Sequence, residues 1–191
     1  MAMRRGGSLT RGMAVFAGGA VAAVIASRLL PPVLAQAVGS ARAAIGRDPF
    51  EALIQDHRDM LAYLNDMEQS PDDAALRRRQ LLLRLKRRLT AHALAEEDVI
   101  YPMLGDPGGD PDEAKRLYAD HADVKMQLHA LEQTPTDAPE WRDRVHALRI
   151  LIESHAREEE EVDFPKLRSA LDEQAITRLS GALQREKAMV L

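Results

Sequence analysis

The chain has 191 residues, of which 46% are hydrophobic, 29% charged and only 4% aromatic, and it has no cysteine. This allows one domain with an aliphatic core plus an appendage, and it excludes disulfides, thiolate metal sites and iron–sulfur clusters. The net charge of −4 hides an asymmetry: residues 1–47 carry six Arg and no acidic residue, which leaves −10 on residues 48–191. That balance suits a cation site and not general nucleic-acid binding.

The chain opens with a small-residue-rich, uncharged stretch from Met13 to Ser27, preceded by Arg4, Arg5 and Arg11 and ended by Arg28. Alone it is shorter than the roughly 20 residues of a membrane span. Continued through Leu29, Leu30, Val33 and Leu34 it is long enough, with Arg28 snorkelling near an interface. It fits an uncleaved anchor or an export signal cleaved near Ala35-Gln36-Ala37 equally well, and an organelle transit peptide less well. Residues 1–37 therefore predict a membrane-associated or periplasmic protein. Arg is balanced on the two flanks, so the segment has no predicted orientation. Pro31-Pro32 and the Gly/Ala/Ser stretch to Gly46 read as a linker, making residues 1–47 one unit.

From Pro49 the apolar period is helical almost throughout. Helix one is predicted from Pro49 to Glu68, with the stripe Phe50, Leu53, Ile54, His57, Met60, Leu61, Leu64, Met67. Ser70-Pro71-Asp72 is a turn. Helix two follows from Asp72 to Ile100, with Leu82, Leu85, Leu89, His92, Glu96 and Val99 on its stripe. Tyr101 to Pro111 reads as a loop. Helix three runs from Pro111 to Glu132, with Leu117, His121, Val124, Leu128 and Leu131. After a turn, helix four runs from Pro139 to Val162, with Val145, Leu148, Ile152, His155, Glu159 and Val162, and Pro165 limits or kinks it. A shorter helix from Leu171 to Met189 is placed to cap the bundle. The fold class is all-α: an antiparallel up-down-up-down four-helix bundle over residues 48–170, with a C-terminal helix over 171–191 and the apolar N-terminal segment.

The chemistry lies on the apolar stripes. Four of the six histidines (His57, His92, His121, His155) fall on them, one per helix; His129 and His146 fall on flanks. Glu96 follows His92 by four residues and Glu159 follows His155 by four, so each pair shares one face a turn apart. A carboxylate on an apolar stripe needs a partner or a metal. A plain His–Glu hydrogen bond in each helix would leave His57 and His121 unexplained.

The pattern is also repeated. His92-Ala-Leu-Ala-Glu-Glu-Asp-Val-Ile-Tyr-Pro102 aligns with His155-Ala-Arg-Glu-Glu-Glu-Glu-Val-Asp-Phe-Pro165, and Asp56-His57-Arg58-Asp59 with Asp120-His121-Ala122-Asp123. One helical hairpin is written twice. Folded about a pseudo-two-fold axis, the copies bring four imidazoles and two carboxylates together, a set for two metal ions with both Glu able to bridge. Mixed imidazole and carboxylate ligands suit Fe, Mn or Zn, and bridging carboxylates inside a bundle are a di-iron habit.

These motifs resemble the hemerythrin-like, or HHE cation-binding, domain over about residues 49–165. The resemblance implies a non-haem centre of two Fe ions held by His57, His92, His121 and His155 and bridged by Glu96 and Glu159. It implies O2 or another small species as the ligand, with no assigned catalytic residue, no nucleic-acid partner and an unknown protein partner. Oxygen-carrying members have a second helix-three histidine where this chain has Lys125, which is protonated and a poor ligand. Water, Glu97, Glu158 or Glu160 would fill that gap, and Glu160 is also an alternative bridge to Glu159. Oxygen or iron sensing, a ferroxidase or peroxide reductase activity, and a metal-stabilised structural bundle are the functions in view. The basic run of helix two (Arg77 to Arg79, Arg84, Lys86, Arg87, Arg88) reads as a solvated face, or as a dock for an anionic surface. Tyr101, Tyr118 and Trp141 read as core or rim packing, ahead of a redox role.

Overall fold

The computed structural model describes residues 48–105 and 110–190. The N-terminal unit of residues 1–47, with its membrane or export reading, lies outside the described residues. Among those described, every regular element is helical, and no helix is long and apolar enough to cross a membrane.

Helix α1 (Pro49–Glu68) starts because Asp48 accepts a hydrogen bond from Phe50 N at 2.9 Å and Pro49 needs no donor in the first turn. Helix α2 (Ala75–Ala95) begins three residues later than its sequence predicts. The delay has a cause at Arg78, whose guanidinium is buried and draws the turn inward. It donates to Ser70 Oγ at 2.8 Å, Ser70 O at 3.1 Å and Asp72 at 3.0 Å, and lies 4.6 Å from the centre of the Trp141 ring. The solvated reading of the basic run is thus wrong for Arg78.

After α2 the chain widens into a π-helical segment, Glu96–Ile100, and then continues as α3 (Tyr101–Gly105), where a loop was predicted. Helix α4 (Pro111–Gln133) is capped by Asp110, which accepts from Asp112 N and Glu113 N at 3.1 and 3.3 Å. Helix α5 (Trp141–Glu158) ends in a second π segment, Glu159–Asp163, followed by α6 (Phe164–Ala170) and α7 (Glu173–Ala188).

The two π segments start at Glu96 and Glu159, equivalent positions of the repeat. A π turn inserts one residue into the helix, so everything beyond it rotates by about 100°. Residues eight, nine and twelve after each histidine therefore turn inward: Ile100, Tyr101 and Leu104 in one copy, Asp163, Phe164 and Leu167 in the other, all buried. The predicted stripe residues at the seventh place lose their positions. Val162 is exposed and Val99 only half-buried. The prolines that follow, Pro102 and Pro165, do not stop the helix, because each lies in the first turn after the widening, where its missing N–H costs little.

Helices α1 and α2 pack as one hairpin and α4 and α5 as the other, with α1 also against α5, while α2 and α4 barely touch. Two apolar clusters result. One holds Met60, Leu64, Leu85, Leu89, Leu128, Leu131, Trp141 and Ile152; the other holds Phe50, Leu53, Ile100, Leu117, Phe164, Leu179 and Leu183. Each fully buried aliphatic side chain contributes about 1.5–3 kcal/mol. Helix α7 packs on α2, α1 and the first π segment, and its Leu179 and Leu183 join the second cluster. Between the two clusters lies a layer of buried polar side chains.

Candidate metal centre

That layer contains the six residues singled out in the sequence, and the structure brings all six together. His57, His92, His121 and His155 are buried, and Glu96 and Glu159 are completely so. His57 Nε2 lies 3.0 Å from His92 Nε2, and His121 Nε2 lies 3.1 Å from His155 Nε2. Each pair comes from one hairpin. The carboxylates span the hairpins: Glu96 Oε2 is 3.0 Å from His92 Nε2 and 3.4 Å from His121 Nε2, while Glu159 Oε2 is 3.4 Å from both His155 Nε2 and His57 Nε2. Each glutamate therefore faces one histidine of either copy, the placement a bridging ligand needs.

Two further glutamates orient the rings. His57 Nδ1 is 2.9 Å from Glu160 Oε1, and His121 Nδ1 is 2.7 Å from Glu97 Oε1. A carboxylate only accepts, so each Nδ1 carries its proton outward and each Nε2 faces the centre. This separates the two helix-four candidates: Glu159 points inward, and Glu160 supports His57 from the rim. Asp56, which sequence reasoning used only to align the copies, is buried 3.5 Å from His92 Nδ1 and is itself held by Arg88 at 3.0 Å and by Lys187 of α7. Its repetition beside the next histidine, as Asp120, was the available signal. Tyr101 was also missed as a site residue. Its hydroxyl donates to Glu159 Oε1 at 3.0 Å and lies 2.9 Å from His121 Nε2. Lys125 reaches no histidine; its ammonium pairs with Glu97 at the rim. Tyr118 donates from the rim to the Glu97 carbonyl, and Trp141 is core.

The electrostatics show what the cluster lacks. Burial disfavours a charged His92, but the Glu96 charge and Asp56 outweigh it and push its pKa up to about 10. Burial likewise opposes a charged His121, and contacts with Glu96 and Glu97 raise it to about 9. His155 moves the other way, to about 4: burial outweighs the pull of Glu159 and Glu96, and the charges on His121 and His92 add to it. Without metal, at neutral pH, a charged His92 donates to His57 and a charged His121 to His155. One proton is thus held in each pair. Burial resists the charge on Glu96, yet His92 and His121 hold its pKa well below the usual carboxylate range.

Even so, neither oxygen of Glu96 makes a hydrogen bond, nor do Glu159 Oε2, His92 Nδ1 or His155 Nδ1. Buried carboxylate oxygens left without a hydrogen bond are costly unless a cation completes them. One ligand atom from each of His57, His92, His155 and Glu159 lies within 4.8 Å of all the others, and the same holds for Glu96, His121 and His155. The donor set fits metal cations.

Residues 48–167 match the hemerythrin HHE cation binding domain. The chain belongs to that family. It is 29% identical over 159 residues to a DNA nickase of Nostoc sp., covering 81% of this chain but only 44% of that protein. It is 27% identical over 146 residues to an uncharacterized hemerythrin-like protein of Schizosaccharomyces pombe, covering 73% and 69%. The chain thus spans less than half the length of the nickase. A crystal structure of a hemerythrin HHE cation binding domain-containing protein from Mycobacterium kansasii superposes with a TM-score of 0.67 at 22% identity, over 76% of this chain and 88% of that one. That likeness concerns the fold. This HHE chain has a buried His/Glu cluster able to take metal.

Proposed function

We propose that this HHE domain holds two iron ions, with His57 and His92 on one, His121 and His155 on the other, and Glu96 and Glu159 bridging them. The observation that carries the reading is the pair of fully buried carboxylates, each facing a histidine from both hairpins, with both oxygens of Glu96 and Oε2 of Glu159 unbonded. The absence of thiolate and the bridging carboxylates favour iron over structural zinc. When bound, the ions would supply a redox-active centre for O2, peroxide or nitric oxide.

The chain's own groups do the rest. Glu160 and Glu97 fix the His57 and His121 tautomers, Asp56 supports His92, and the apolar clusters on either side exclude water. Tyr101 places a phenolic O–H against Glu159, where it can donate to whatever the site binds. Lys125 pairs with Glu97 and supplies no ligand, so bound metal would have room for a small molecule there, which supports binding or sensing over plain structure.

The nickase activity of the Nostoc relative is not carried over. This chain spans only 44% of that protein, and in the basic run of α2 Arg77 pairs with Asp66, Lys86 with Glu132 and Arg88 with Asp56 and Asp59. The test is metal analysis after anaerobic iron loading. About two irons per chain, with near-ultraviolet bands of oxo-bridged iron on exposure to air, are expected; zinc alone, or no metal, overturns the reading. Turnover of Fe(II) or H2O2 by the loaded protein would establish an enzyme, and stoichiometric binding without turnover a sensor or carrier.

A further inference from the structure

The sparse contact between α2 and α4 leaves two neighbouring spaces. The inner one is a cavity of about 10 Å³, room for about one water-sized molecule, walled by Met60, Leu89, Ala93, Val124 and Ile152 and touching His92, His121 and His155. The outer one is a surface groove of about 210 Å³ whose lining includes Thr90, Glu97 and Leu128. Leu89, Ala93 and Lys125 line both. Lys125 is half exposed, its stem lies between the two spaces, and its ammonium is tied to Glu97, the carboxylate that also holds His121.

We infer that the α2–α4 gap is the entry path to the metal centre, that the Lys125–Glu97 pair is its latch, and that it admits only the smallest uncharged molecules. The inference rests on the metal centre proposed above. The size of the cavity sets the ligand size. The apolar wall sets its charge class, because a hydrated ion entering would lose water contacts with nothing to replace them. A rival groove of about 220 Å³ reaches His155 between α4 and α5. Its rim carries Asp120, Asp123 and Glu158 against one Arg116, and it shares with the inner cavity only Val124 and His155. The latch also links entry to the centre: when Lys125 swings away, Glu97 is left with His121 alone.

The absence of native cysteine makes a clean test possible. Ala93→Cys puts one thiol in the throat. In the metal-free protein it should react with neutral methyl methanethiosulfonate far faster than with the charged sulfonatoethyl or trimethylammonioethyl reagents. Adding Lys125→Ala should raise the neutral rate about twofold to fivefold, the range a half-exposed ion pair supports. In the iron-loaded, reduced protein, Lys125→Ala should speed oxidation by O2 by a similar factor at unchanged iron content, and Ala93→Phe should slow it. Ser154→Trp, which obstructs the rival groove, should leave the rate unchanged. Equal labelling with and without Lys125, or a rate governed by Ser154→Trp, overturns the inference. Because the thiol assay needs no metal, its outcome is separable from a failure to bind iron, and far-ultraviolet circular dichroism checks that each variant is folded.

Discussion

The two hairpins are copies, yet they differ in their support of the same ligands. Both set a histidine 3.0–3.1 Å from its partner, both bind the first histidine through a glutamate from the other copy, and both widen into a π segment at the inner glutamate. Around that shared centre they diverge. Asp56 stands 3.5 Å behind His92 Nδ1, whereas its counterpart Asp120 turns to Arg116 at 3.1 Å. Tyr101 puts a hydroxyl into the site where Phe164 only stacks on His57, ring centres 6.2 Å apart. Ile100 fills the core where Asp163 is buried with both oxygens unbonded. Helix α7 packs mainly on the first copy. The clustered histidines and glutamates match between the copies, while the groups that tune and orient them do not, so the two sides of the cluster are chemically distinct.

The largest effects should test the symmetric part. Glu96→Ala and Glu159→Ala should each abolish retention of both irons, because each side chain faces both histidine pairs; loss of a single iron from either variant would show that the glutamate is terminal and not bridging. Glu97→Gln and Glu160→Gln should each weaken iron affinity by about 10- to 100-fold, the usual cost of losing the group behind a ligating histidine, and the two losses should be similar. Chelator competition measures both. Asp56→Asn should weaken it more than Asp120→Asn, since only Asp56 faces a ligand histidine.

Two smaller effects lie in the metal-free protein. His92 and His121 have folded pKa values of about 10 and 9 against 6.5 unfolded, so the stability they contribute is full below pH 6.5 and is lost as pH rises towards 10. His155, at about 4, acts in the opposite sense: stability is lost as pH falls from 6.5 towards 4. Urea denaturation of metal-free protein should therefore show falling stability on both sides of pH 6.5, and saturating iron should flatten the alkaline side. Asp163 is raised to about 8 by burial and by Glu113, so it costs stability as pH rises from 3.8 to 8. Asp163→Asn should remove that cost, making the variant more stable than wild type above pH 8 and little changed at pH 4.

Tyr101→Phe, which copies the second hairpin into the first, should change stability least, by about 1 kcal/mol for one hydrogen bond. It should nonetheless alter the visible spectrum of the iron-loaded protein. An unchanged spectrum would mean that the hydroxyl plays no part at the metals.

The sequence carried the clustered residues because they obey the helical period: His92 and Glu96, or His155 and Glu159, are one turn apart on an apolar stripe, and duplication shows the pattern twice. It carried the bundle for the same reason. It failed where the period changes. A π turn gives no signal to a fixed 3.6-residue repeat, so Val162 was placed inside and Tyr101 in a loop, and the hydroxyl in the site was missed. Arg78 was misread because six basic residues surround it in the run and only the fold shows Ser70, Asp72 and Trp141 around its guanidinium. Asp56 was legible as a repeat position but not as a partner, since its alignment mate Asp120 took a different role.

The paired π segments also carry a history. Each is a one-residue insertion, and both stand at the same register, four residues beyond the same histidine, with a proline six residues after the glutamate. Two independent insertions at one register would be a coincidence; one insertion copied with the gene is not. The widening is therefore part of the repeated unit itself, written into both hairpins together with the histidine and the glutamate. Removing one residue, Asp98, from the first copy would undo that inheritance on one side only, returning Tyr101 to the surface while the second copy keeps Phe164 inside.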